Sequence, residues 1–483
     1  MLIKIKKEKK HTISPYIFMQ FAEPLGTADS SVDAGWDFLH DRWQPKLVEK
    51  VKELAPTMIR WGGCFASYYH WKEAVGPQSE RVPMLNLCWD GIYSNMVGTG
   101  EVVDLCKEAG AEPLLVVNME SDGRLHWAYP KEGMNRLGTA EEAAEWVDYC
   151  NNPNNELRLS HGVTEPYNVR FWQIGNETSY DQRGFDMEVA AQKTLEFARK
   201  MRKADPTIRL LAWGDNGWAK RMCEVAGDEI DYIAFHYHFS NSGLPDCPLN
   251  DKEYRKDPDN TWKHLMNTCK SLEAYIDTMR EQVKPYGKRL AMTEGHYVLA
   301  GRDRCDVLST WGAGVSYARC LNVLERATDV LDIATLADFF GNRWQVNALM
   351  LCTPDRLGPA YLQPVGEVMR LFRHHIGMYA LDVEKEVGQV DLTASLSEDE
   401  KTVYLHAVNT DRLSDKRLEI CFEGKTVKKI KAFTIAEDAM TEITYQNTDV
   451  FRPRESEVEG NTFILPAAGV SSLEIELEEQ EIL

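Results

Sequence analysis

The stretch "VRFWQIGNE", residues 169 to 177, runs from an apolar, β-favouring segment into an amide and a carboxylic acid placed directly after Gly175. Aromatic and β-branched residues suit a buried strand, and the glycine marks where that strand turns. A strand with Asn176 and Glu177 at its tip fits a parallel sheet whose carboxyl ends collect polar groups. Seven comparable runs accompany it: "YIFMQFAE" (16–23), "TMIRWGG" (57–63), "PLLVVN" (113–118), "IRLLAWG" (208–214), "DYIAFHYHF" (231–239), "RLAMTE" (289–294) and "LDIATLADF" (331–339). The segments between them are amphipathic. Pro45 suits a first helical turn and precedes Leu47, Val51 and Leu54 on one face. Thr139 and Glu142 have capping-box spacing ahead of Ala143, Trp146, Val147 and Cys150. Leu308, Trp311, Val315, Ala318, Leu321 and Leu324 form a stripe before the last run. Eight βα units over residues 13–372 predict an α/β fold of the (β/α)8 TIM-barrel type. An open doubly wound sheet would normally carry fewer strands and a phosphate loop after the first.

From about residue 373 to 483 the period changes to two. Leu418, Ile420 and Phe422 alternate with Glu419, Cys421 and Glu423, and Leu473, Ile475 and Leu477 alternate with glutamates. This predicts a C-terminal antiparallel β-sandwich with one solvated face. Residues 1–12 alternate in the same way in "LIKIKK", so they are expected to join that sandwich rather than the barrel.

The 483 residues carry 75 acidic against 55 basic side chains, a formal charge of -20. That charge repels polyphosphates and anionic lipid, so neither nucleic acid nor a membrane is an expected partner. "MLIKIKKEKKHTI" lacks the apolar core of a signal peptide, and no run reaches membrane-spanning length. Eleven cysteines without a C-x-x-C pair point to reduced thiols in a cytoplasmic setting. Walker A, H-E-x-x-H and complete G-x-G-x-x-G patterns are missing, so no metal or organic cofactor is signalled.

The predicted strand ends carry Glu23, Arg60, Asn118, Asn176, Glu177, Asp215, His236, His238, Glu294 and Asp338. Carboxylates and amides beside aromatic rings suit a neutral, polyhydroxylated ligand such as a sugar. Glu177 and Glu294 each end a clean apolar run. Paired carboxylates cleave glycosides by dividing labour between proton donor and nucleophile or base. A gap of about 5–5.5 Å means retention of configuration, and roughly 6.5–9.5 Å means inversion.

"IRWGGCFASYYHWKEAVGP" (59–77), "AEPLLVVN" (111–118), "AEEAAEWVDYCN" (140–151), "HGVTEPYNVRFWQIGNE" (161–177) and "HYHF" (236–239) resemble, in order, the signature stretches of the α-L-arabinofuranosidases of glycoside hydrolase family 51. The resemblance implies a retaining, exo-acting furanosidase that removes terminal α-L-arabinofuranosyl residues from oligosaccharides by double displacement and assembles as a homo-oligomer. Position by position, it makes Glu177 the general acid/base and Glu294 the nucleophile. Asn176 would hold the sugar's 2-hydroxyl, Glu23 would grip the sugar, and Arg60 would lie beneath the nucleophile. Cys64 and Trp89 would line the sugar subsite. Asn118, His236, Tyr237, His238 and Asp338 complete the expected substrate-contacting set.

This sequence departs from the family pattern in four places. The proline of "RWPGG" is missing at 60–63. His238 stands where the family has a tyrosine bonded to the nucleophile, and Tyr237 is displaced by one position. "MTEGHY" (292–297) lacks the aspartate before and the "WN" after the nucleophile. Asp338 replaces a glutamine. About 19 residues, 119–137, are inserted on the site's face, where His126, Trp127 and Tyr129 are candidates to wall the pocket. Two alternatives stay open: a related barrel glycosidase for another sugar, such as a galactofuranoside or a xyloside, and an inactive sugar-binding homologue.

Overall fold

The computed structural model describes residues 1–240, 247–298 and 304–479. Seven strands pair in parallel in chain order: Gln20–Ala22, Met58–Trp61, Glu112–Val117, Phe171–Ile174, Arg209–Trp213, Tyr232–Ser240 and Arg289–Val298. The eighth run is two strands rather than one. Leu331–Ala334 pairs with the seventh strand, while Asp338–Gly341 pairs with the first. Thr335 turns the chain between them through hydroxyl contacts with the backbone of Ala337. The Met19 amide donates to the Ala334 carbonyl at 3.0 Å, so the two half-strands together close the barrel. Met19, Met58, Leu114, Phe171, Leu211, Ala234, Ala291 and Ile333 fill its interior as one buried cluster.

Two further strands extend the sheet beyond the barrel, which the sequence pattern did not anticipate. Asn347–Leu351 lies parallel to Asp338–Gly341, and Ala360–Leu362 returns antiparallel to it. The first strand is also shorter than its apolar run, because Pro15 opens a 3-10 turn over Pro15–Phe18 capped by the Ser14 hydroxyl. Thr139 caps the helix Ala140–Asn151 by accepting from the Glu142 amide at 3.1 Å. The expected return bond of a capping box is diverted, since the Glu142 carboxylate meets His70 Nδ1 at 2.8 Å instead.

The C-terminal strands roll into an antiparallel sheet over their own core of Leu392, Val403, Leu405, Leu418, Ile420, Ile430, Leu473 and Ile475. The N-terminal strand Leu2–Thr12 is built into it, antiparallel to Tyr379–Val383 and parallel to Lys416–Phe422, and adds Ile3 and Ile5 to that core. The fold is therefore a TIM barrel carrying a C-terminal sandwich. Helix Trp311–Arg326 lies between the two layers and is buried on nearly every side, not only along its apolar stripe. Its polar residues are satisfied across the junction: Arg319 and Asn322 bind Asp391, and Glu325 accepts from His406 Nδ1 at 2.8 Å.

Candidate active site

At the carboxyl ends of the barrel strands lies a cavity of about 320 Å³ lined by Phe21, Glu23, Leu25, Cys64, Cys88, Trp89, Glu177, His238, Glu294, His296, Val298, Asp338 and Trp344. A bulge in the pairing of the sixth and seventh strands shapes its floor. Phe235 stands opposite Met292 but His236 stands opposite Glu294, leaving Thr293 as the extra residue. Such an insertion re-aims the side chains beyond it. Here it brings His236 and His238 to the face that carries Glu294 and His296, while Tyr237 points away and packs its ring 5.0 Å from Tyr275.

Glu294 is buried against the Arg60 guanidinium and two imidazoles. Arg60 Nη1 donates to its Oε1 at 2.8 Å, and Oε2 lies 3.5 Å from His236 Nδ1 and 3.7 Å from His238 Nε2. Burial alone would raise the Glu294 pKa, but His236, His238 and Arg60 outweigh it and hold the group at about 2. Arg60 is itself clamped, its Nε by Gln173 at 3.0 Å and its Nη2 by Asn176 Oδ1 at 2.7 Å. The Asn176 side-chain nitrogen, Nδ2, is buried with no hydrogen-bond partner among the described residues and faces the site as a donor.

Glu177 is held differently. It follows the fourth strand with a left-handed φ of 50°, a conformation rarely adopted by residues with a side chain. Its Oε1 meets His236 Nδ1 at 3.0 Å, and Cys64 Sγ donates to its Oε2 at 3.6 Å. One oxygen of Glu177, one of Glu294 and one ring nitrogen each of His236 and His238 all lie within 4.8 Å of one another.

The opposite wall gathers the departures noted in the sequence. The His238 and His296 rings are 4.7 Å apart, and His296 Nε2 lies 3.5 Å from Asp338 Oδ1. Burial first, then the neighbouring His238, pushes the His296 pKa down to about 3. Burial, Glu294 and Asp29 push the Asp338 carboxyl well above the usual carboxylate range, favouring its protonated form. Asp338 Oδ1 has no hydrogen-bond partner among the described residues. Glu23 is also driven up, by burial and then by Glu294 and Cys88, although it accepts from the Cys64 amide at 2.7 Å and the Trp89 indole at 2.9 Å.

Asn118, His126, Trp127 and Tyr237, all expected at the site, fall outside the cavity. Asn118 turns into the following loop, donating to the Arg136 carbonyl at 2.9 Å and accepting from the Ser121 amide at 2.9 Å. Trp127 stacks edge-on against Tyr68 at 5.4 Å under the Arg124 guanidinium, and His126 faces Asp181 at 3.7 Å. Tyr237 lines a separate hollow with Phe239 and His264. The inserted loop serves the site in another way. Buried Asp122 accepts from the Asn176 amide at 3.2 Å and the Thr178 hydroxyl at 2.9 Å, and Arg124 Nη2 donates to the Glu177 carbonyl at 2.6 Å. These two residues, with His296, Cys88 and Trp344, were not singled out from the sequence. His296 could have been, because it shares a strand face with Glu294 by simple alternation.

Two family models match the chain: "Alpha-L-arabinofuranosidase 1 domain" over residues 50–258 and "Alpha-L-arabinofuranosidase C-terminal domain" over residues 302–471. An intracellular exo-alpha-(1->5)-L-arabinofuranosidase of Acetivibrio thermocellus is 30% identical over 287 residues, 56% of this chain and 54% of the relative. Alpha-L-arabinofuranosidase C of Emericella nidulans is 33% identical over 215 residues, 42% of this chain and 40% of that one. The chain thus spans about half the length of the curated relatives it matches. Among solved structures, the arabinose complex of a Thermotoga maritima alpha-L-arabinofuranosidase superposes with a TM-score of 0.80 at 25% identity, covering 98% of this chain and 99% of that one. The GH51 enzyme of Thermotoga petrophila gives 0.79 at 25% identity with the same coverage, 98% and 99%.

Proposed function

We propose that this chain, which belongs to the α-L-arabinofuranosidases of glycoside hydrolase family 51, is a retaining exo-glycosidase that releases terminal α-L-arabinofuranosyl residues from oligosaccharides inside the cell. The observation that carries the mechanism is the short gap between the acids, an oxygen of each lying within 4.8 Å of the other. That closeness supports direct attack on the sugar, the arrangement of retaining enzymes, over the wider gap that leaves room for a water in inversion. Glu294, kept ionised by Arg60 and the two histidines, attacks the anomeric carbon while Glu177 protonates the departing oxygen. Glu177 then removes a proton from water, which hydrolyses the glycosyl ester and returns Glu294 to its carboxylate. Asn176 presents its free amide to a ring hydroxyl, a contact that strengthens as positive charge develops at the anomeric centre.

Glu23, Cys64 and Trp89 bind the glycone on one side. On the other, a protonated Asp338 supplies both a donor and an acceptor where the family pattern has glutamine. The intracellular setting is supported by the Acetivibrio thermocellus relative, an intracellular exo-alpha-(1->5)-L-arabinofuranosidase. The linked His238, His296 and Asp338 wall favours one alternative, a furanose or pyranose other than arabinofuranose. Turnover of a nitrophenyl glycoside panel separates the two. Preference for the α-L-arabinofuranoside is expected, and a larger kcat/KM for a galactofuranoside or a xyloside would move the assignment to that sugar.

A further inference from the structure

The two catalytic carboxylates do not stand alone over the pocket floor. Among the described residues, Glu177, His236, His238 and Glu294 present four ligand-type atoms within 4.8 Å of one another. The separations are 3.0 Å from His236 Nδ1 to Glu177 Oε1, 3.5 Å from His236 Nδ1 to Glu294 Oε2 and 3.7 Å from His238 Nε2 to Glu294 Oε2. Zinc bonds of about 2.0–2.2 Å to nitrogen and oxygen make tetrahedral edges of about 3.3–3.6 Å, so the group needs only small side-chain shifts to close on an ion. The remaining polar atom of three ligands is already occupied. His236 Nε2 lies 3.0 Å from the Thr293 hydroxyl, which lets Nδ1 keep its lone pair. Glu294 Oε1 is held by Arg60 and Glu177 Oε2 by Cys64, leaving Oε2 and Oε1 respectively to face the centre. His238 Nε2 has no hydrogen-bond partner among the described residues.

We infer that this quartet is a binding site for a divalent transition ion of the zinc class, and that occupancy ties up both catalytic carboxylates and switches hydrolysis off. Two imidazoles with two carboxylates select zinc, cobalt or copper over magnesium and calcium, which take oxygen ligands. His238 is the ligand that a tyrosine at this position would remove, so sensitivity to zinc is a property of this chain's departure from the family pattern. Binding rests on the geometry alone; inhibition rests on the catalytic roles proposed above.

The test titrates the full, chelator-stripped chain with Co2+ and follows its visible absorption, then measures Zn2+ inhibition of aryl furanoside hydrolysis. One Co2+ per chain with four-coordinate nitrogen and oxygen bands is expected, displaced by Zn2+, and Zn2+ raises KM. Replacement of the ligand in His238→Tyr or His238→Gln is expected to weaken Co2+ binding by at least about tenfold, the lower end of what even an outer-shell change costs. Absence of a bound-cobalt spectrum in the wild type, a thiolate-to-cobalt band, or unchanged affinity in both variants would overturn the site. The absorption requires no turnover. A bound ion in a protein inactive on furanosides therefore condemns the catalytic roles, whereas an active enzyme blind to cobalt condemns the metal site.

Discussion

The two glutamates of the site are fixed by opposite means. Glu294 sits within the seventh strand, just past its bulge, and its carboxylate is fixed by side chains: Arg60 at 2.8 Å, with His236 and His238 on its other oxygen. Glu177 sits just past a strand end in a left-handed backbone conformation. Its main chain is tethered by Arg124, the neighbouring Asn176 backbone amide by Asp122, and among the described residues its carboxylate hydrogen-bonds a histidine and a thiol. Surroundings that differ this much push two like groups towards different work. In the proposed mechanism the nucleophile must stay charged, and Glu294 is set against the Arg60 guanidinium. A proton shuttle must change charge, so the fold controls its position and leaves its head group lightly held.

The sharpest break of that contrast is Glu294→Ala, which removes the attacking group. Steady-state kinetics on an aryl furanoside should show kcat falling on the order of 10⁴-fold or more, for good and poor leaving groups alike. Glu177→Ala should cost roughly 10²- to 10⁴-fold. Here the loss should shrink for a nitrophenolate, which leaves without protonation. Equal losses for both leaving groups would erase the division of labour.

Arg124→Ala tests whether the inserted loop positions Glu177. A fall in kcat of about tenfold to a hundredfold with little change in KM is expected, because small misplacement near the reacting atoms is costly. A variant with wild-type kcat would reduce the loop to decoration.

The smallest effect concerns the far wall. The Asp338 carboxyl has a raised pKa in the folded chain, so between its ordinary value and the raised one the folded state binds more protons than the unfolded state. Stability from this group is therefore lost as pH rises through that window. Asp29, pushed by burial to about 6, acts in the same direction. Asp338→Asn should raise the melting temperature at pH 8 by a few degrees and leave it nearly unchanged at pH 4, as calorimetry at both values would show. A melting temperature lowered at pH 8 would mean that the carboxylate is charged and stabilising there.

The barrel was legible because its strands are nearly continuous apolar runs that stop at polar residues, and the sandwich because its strands alternate. Thr335–Ala337, which split the eighth run, read as strand because the interruption uses apolar residues and a threonine whose hydroxyl bonds locally. Strand ends pointed to Glu23, Arg60, Asn176, Glu177, His238, Glu294 and Asp338, and the cavity or its immediate support contains each of them. The bulge at Thr293 was invisible, since it arises from pairing between two strands distant in sequence. Without it the alignment of His236 and His238 with Glu294 and His296 could not be read. The loop from 119 to 137 misled for a related reason. Its aromatic residues are conspicuous, but its structural contribution comes from Asp122 and Arg124 beneath them.

The most direct test of the division of labour is the configuration of the first-formed product, followed by proton NMR in deuterated buffer during hydrolysis of an aryl α-L-arabinofuranoside. Double displacement through Glu294 predicts that the α-anomer appears first and the β-anomer only later, by spontaneous anomerisation. Initial release of the β-anomer would show single displacement by water and contradict the roles assigned to both glutamates.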